Sequence, residues 1–180
     1  MLCPRRIVVV GCLLLGMIGY GSAASAQRAT QPISGAVSKP SGWKIGLPFE
    51  NGERIYVASG YSRDGGSDYH KRTNSTKYAN DYYALDLTML DHPQNGKGQP
   101  VVAIASGKVV EAGVGTGGWW SYGRRVYIEH DYNADGHKYI SLYTHLDSLS
   151  VSTGDTVAKG QTIGKLGGSC YDKDAGQVDL

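Results

Sequence analysis

Apolar and polar residues alternate with a period of two along several short stretches of this chain. The run from Tyr139 to Leu146 shows the pattern best. Tyr139, Ser141, Tyr143 and His145 fall on one face of an extended strand, and Ile140, Leu142, Thr144 and Leu146 on the other. The second face reads as core. The first ends in an imidazole two residues from a phenol, which is either surface decoration or the wall of a site. Related runs span Arg54 to Ala58, Tyr82 to Thr88, Val101 to Ala105, Lys108 to Ala112 and Arg124 to His130. β-Branched and aromatic residues fill them, glycines such as Gly107, Gly113, Gly123 and Gly136 separate them, and no long helical period appears. The pattern predicts an all-β, antiparallel domain.

Two stretches need a closer reading. Asp131-Tyr-Asn-Ala-Asp-Gly136 matches the opening of an EF-hand loop. However, the twelfth position is Leu142, where a bidentate Glu is required, and no helices flank it. It reads instead as a hairpin turn, with Asp135-Gly136 supplying the positive backbone angles. Further on, Val151, Val157 and Ile163 recur among Gly154, Gly160 and Gly164. Each glycine permits a tight turn and each branched residue buries a short strand. That repeat suits a compact barrel or a biotinyl-type carrier, but neither Lys159 nor Lys165 sits in the hairpin turn a carrier needs.

The N-terminus follows different rules. Arg5 and Arg6 precede an apolar run from Ile7 to Ile18, and Ala24-Ser25-Ala26 follows. This predicts a secretory signal peptide over residues 1–26, since the run is short for a membrane span. Val9 to Cys12 mimics a lipoprotein box, although the apolar run continues past Cys12. Residues 27–42, with Pro32 and Pro40, read as a linker, and residues 43–180 as the β domain. No stable membrane span is expected once the signal is removed.

Charge and cysteine change with that removal. Cleavage takes two of the 18 basic residues and none of the 16 acidic ones, leaving 16 of each. With no basic cluster, nucleic acid is not an expected partner. Cys3 and Cys12 leave with the signal, so Cys170 stays as a single thiol in a disulfide-permissive compartment. It is either a buried small residue or one half of a pair.

The chemistry centres on Asp86 and His145. Alternation puts Tyr83, Leu85 and Leu87 on one face and Ala84, Asp86 and Thr88 on the other. A carboxylate in so apolar a strand is costly unless it is paired or binds a metal. Three features together resemble the secreted zinc endopeptidases of the lysostaphin/LytM type, which cut peptide cross-links in bacterial peptidoglycan. They are Tyr83-Ala-Leu-Asp-Leu87, Ser106-Gly-Lys-Val-Val110 followed by Val126-Tyr-Ile-Glu-His130, and Tyr143-Thr-His-Leu146 leading into the Val/Gly repeat. The resemblance runs from about Tyr56 to Gly168. It implies a half-open antiparallel β-barrel or sandwich built from a duplicated hybrid motif, exported to the periplasm or beyond.

The resemblance also implies roles. Asp86 matches the carboxylate zinc ligand. The tight family spacing of the first motif places its histidine where this chain has Tyr82, so His70 is the upstream histidine available as the second ligand. His145 matches a catalytic histidine that is not a ligand. Tyr143, Trp119 and Trp120 are expected to line the substrate groove with Tyr122, and surface packing is the competing reading for these aromatics. His130 matches a family position that often carries histidine without metal, and His92 and His137 read as loop residues. The family's final H-x-H motif, which brings the third ligand, has no counterpart after Gly168. The expectation is therefore an active zinc peptidase seen in truncated form. The alternative is a catalytically incomplete relative that binds peptidoglycan or regulates another wall hydrolase.

Overall fold

The computed structural model describes residues 8–9, 11–14, 44–59, 84–115, 122–130, 139–172 and 177–179. Its strands are β1 (Val8–Val9), β2 (Gly11–Leu14), β3 (Tyr56–Ser59), β4 (Asp86–Thr88), β5 (Pro100–Val102), β6 (Gly107–Val114), β7 (Arg124–His130), β8 (Tyr139–Leu149), β9 (Thr156–Val157), β10 (Thr162–Leu166), β11 (Cys170–Asp172) and β12 (Gln177–Asp179). A short 3-10 turn spans Pro93–Gly96. The fold is all-β and antiparallel, as the alternation predicts.

The main sheet runs β5-β10-β8-β7-β6-β9, with β2 added beside β8. Long hairpin partners form its centre: β6 pairs with β7 from Gly107↔His130 to Val114↔Arg124, and β7 pairs with β8 from Glu129↔Ile140 to Arg124↔Leu146. A smaller sheet runs β1-β4-β3, and β11 pairs with β12 alone. The antiparallel pairing of β7 with β8 agrees with a hairpin there, while the turn itself (131–138), the linker, His70, His137, Trp119 and Trp120 lie outside the described residues.

One core serves the domain. Val101, Val109, Val126, Ile128, Tyr143, Leu146 and Ile163 are each fully enclosed in it, joined by Leu87, Met89 and Leu166. Each such aliphatic side chain contributes roughly 1.5–3 kcal/mol by leaving water. The Val/Gly repeat is structural, as read: Val151, Val157 and Ile163 are buried, and Gly154 and Gly160 take positive φ at turns.

β8 departs from the predicted facing. Tyr139, Ser141 and Tyr143 point into the buried side, whereas Ile140 is half-buried. The register explains how Leu146 joins them. Val126 pairs with Tyr143 and Arg124 with Leu146, so two steps along β7 oppose three along β8. The extra residue is a bulge, with His145 in the left-handed region at φ 56. Alternation reverses there, Tyr143 and Leu146 share the core, and His145 is turned out of the regular ladder. Leu142 and Thr144 are buried as well, so β8 is covered on both faces.

Candidate functional site

Tyr143 belongs to the core and not to a groove wall. Its side chain has no exposed surface, and its hydroxyl accepts the Ile104 N–H at 2.9 Å. Ser141 Oγ lies 3.0 Å from that hydroxyl and 2.9 Å from His130 Nε2, while His130 Nδ1 donates to Ser106 O at 3.0 Å. Burial raises the Tyr143 pKa and outweighs the two hydrogen bonds that lower it. The expectation that Tyr143 contacts substrate is not met by this placement. His130 likewise binds protein groups.

His145 is positioned by its own bulge and by the chain that crosses it. Its Nδ1 lies 2.9 Å from Ser169 O. A carbonyl only accepts, so Nδ1 carries a proton, and in the neutral imidazole Nε2 carries the lone pair. Ser169 is in turn fixed on both sides: its hydroxyl donates to Leu146 O at 2.6 Å and accepts Arg124 N–H at 3.0 Å. Two glycines allow this crossing. A Cβ at Gly123 would stand 2.2 Å from Ser169 O, and one at Gly167 would stand 2.4 Å from Asp147 N. The Tyr122 ring lies 5.4 Å from the His145 ring, tilted by 34°. Tyr122 thus flanks the imidazole from the aromatic loop read as a groove wall. Ser169 carried no signal in the sequence, because its role depends on a carbonyl brought across from a distant segment.

Asp86 stands at the start of β4, half-buried, between the enclosed Leu87 and the partners Ser59 and Val9 in its ladder. It lies on the smaller sheet and His145 on the larger one. Among the described residues no three His, Cys, Asp or Glu side chains gather into a metal set. The described residues therefore do not by themselves fit a zinc ion. His92, read as a loop residue, holds Glu53 through Nε2 at 2.7 Å beside the Arg54–Asp91 ion pair, and these contacts pin β3 to the turn after β4.

Residues 91–177 match the model of Peptidase family M23, a span that contains His145 and begins just after Asp86. Lipoprotein NlpD of Yersinia enterocolitica is 41% identical over 71 residues, 39% of this chain and 65% of that protein. Lysostaphin of Staphylococcus simulans is 42% identical over 90 residues, 50% of this chain and 16% of that protein. Glycyl-glycine endopeptidase ALE-1 of Staphylococcus capitis is 37% identical over 90 residues, 50% of this chain and 21% of that protein. The chain thus spans less than two thirds of each of these relatives. The match places the antiparallel sheet and the anchored imidazole at the β8 bulge inside the part of the chain, residues 91–177, that is similar to Peptidase family M23.

Proposed function

We propose that this chain is an exported, zinc-dependent endopeptidase domain that acts on peptide cross-links of bacterial peptidoglycan. One observation carries the reading: inside the matched span, His145 is held by Ser169 with Nε2 as its basic nitrogen. A base fixed in one tautomer suits proton transfer during peptide hydrolysis. The names lysostaphin and glycyl-glycine endopeptidase support a peptide bond as the target. The name lipoprotein for the Yersinia relative supports the cell envelope as the place of action. No helix among the described residues is long and apolar enough to cross a membrane.

In this reading Asp86 and His70 are two of the zinc ligands, and zinc would supply a Lewis acid for the scissile carbonyl. Trp119 and Trp120 are proposed as groove residues beside Tyr122. A second reading has its own observation: without three convergent donors among the described residues, the chain is a peptidoglycan-binding or regulatory relative.

Metal analysis and a digest separate the two. The purified chain is expected to retain zinc after dialysis and to release new amino groups from purified cross-linked peptidoglycan. His145→Ala is expected to keep the metal and lose ~10²–10⁴-fold in rate. Binding to the polymer with neither zinc nor release would support the second reading.

A further inference from the structure

A single N-terminal stretch of this chain supplies a strand partner to β4 and another to β8. β1 pairs with β4 through Val8↔Leu87 and Val9↔Asp86. Two residues later β2 pairs with β8 through Gly11↔Leu142, Cys12↔Ser141, Leu13↔Ile140 and Leu14↔Tyr139. A single apolar segment therefore reaches both sheets, first against the strand of Asp86 and then against the strand of His145. β8 is paired with β7 on its other side at Ile140, Ser141 and Leu142. Without the segment, Ile140 to Leu142 would lose the strand partners it supplies among the described residues on that flank of β8. Such an edge is a template for another extended chain, with affinity from main-chain hydrogen bonds.

We propose that the strip between β4 and β8 is a strand-acceptor site, filled in cis by residues 8–9 and 11–14 and open to an extended apolar strand of another chain once they are removed. The chemistry of the partner follows from the sequence of that segment: Val8-Val-Val-Gly-Cys-Leu-Leu14 is uncharged, free of proline and rich in β-branched valine. The same residues fall within the stretch read as a cleavable signal. Removal of that signal would then vacate the strip beside Asp86, and the precursor would differ from the processed chain in whether this strip is closed. The proposal stands apart from the peptidase reading, because its tests measure pairing and not hydrolysis.

Cysteine trapping in the full chain tests the cis pairing. Directly opposed residues of an antiparallel pair lie within disulfide reach. Ser141→Cys, with Cys3→Ser and Cys170→Ser, is expected to form an intramolecular link to native Cys12 under mild oxidation, seen as one cross-linked peptide in a monomer. Ser141 also touches His130 and Tyr143, so Leu13→Cys with Ile140→Cys, in a chain with its three native cysteines changed to serine, repeats the test away from that network. Absence of both links, or links between two chains only, overturns the cis pairing.

A protease site placed in residues 27–42 tests the trans step. After cutting and removal of the N-terminal piece, amide exchange at residues 139–142 is expected to rise at least tenfold. A synthetic peptide of residues 8–14 is expected to restore the protection, and a peptide with Gly11→Pro is not. Unchanged exchange after removal, or equal rescue by both peptides, overturns the acceptor site.

Discussion

Tyr143 and His145 lie two residues apart and do opposite work. The phenol is enclosed and its oxygen accepts the Ile104 N–H. Tyr143→Phe removes that acceptor and leaves a buried N–H without its partner. The expected loss is about 1–3 kcal/mol in urea unfolding, with His145 undisturbed. For His145, the Ser169 carbonyl dictates the tautomer. Long-range ¹H–¹⁵N spectra of the neutral imidazole should show a protonated Nδ1 and an unprotonated Nε2. Sequence alternation placed both side chains on one face. The bulge separated them, and a bulge is invisible in a pattern that presumes an unbroken period of two. Histidine tolerates the left-handed backbone better than most residues, so nothing in its identity announced the break.

At the scale of elements, β6, β7 and β8 form the frame that holds the site, and both ends of that frame depend on close passage. Gly123 sits against the Ser169 backbone with φ 59. Gly123→Ala is expected to push the 167–169 segment off β7 and release His145, read as a lower unfolding midpoint together with loss of the tautomer signature. On β7, Arg125 donates to Glu111 Oε1 through Nε at 2.9 Å and Nη2 at 2.5 Å, and its guanidinium lies 5.1 Å from the Tyr127 ring centroid. Burial pushes the Tyr127 phenol up to about 12. The folded state thus keeps a proton that the unfolded state releases near pH 10. Bound protons are then fewer in the unfolded state, so stability falls as pH rises from about 10 to about 12. Urea midpoints across that window should fall for the wild-type chain and fall less for Tyr127→Phe. Tyr143 shifts in the same direction and keeps some of the slope.

For the whole molecule, the pattern of short alternating runs and glycines determined the all-β class, the strands from β3 to β10 and the Val/Gly repeat, because burying one face of a strand leaves a period that survives in one dimension. The motifs around Asp86 and His145 pointed to Peptidase family M23 for a related reason: chemistry needs particular residue types in fixed order. Tertiary structure alone decided the rest. It set Tyr143 in the core, gave His145 its tautomer through Ser169, and put Tyr122 beside the imidazole. It also paired residues 8–9 with the strand of Asp86 and residues 11–14 with the strand of His145, in a stretch that read as a leader. Each of these depends on contacts between segments far apart along the chain, and a backbone carbonyl or an open sheet edge offers the same groups whatever the residue. Sequence therefore identifies the side chains that can act, while only the folded chain shows which backbone groups orient them and which edge is left to be filled.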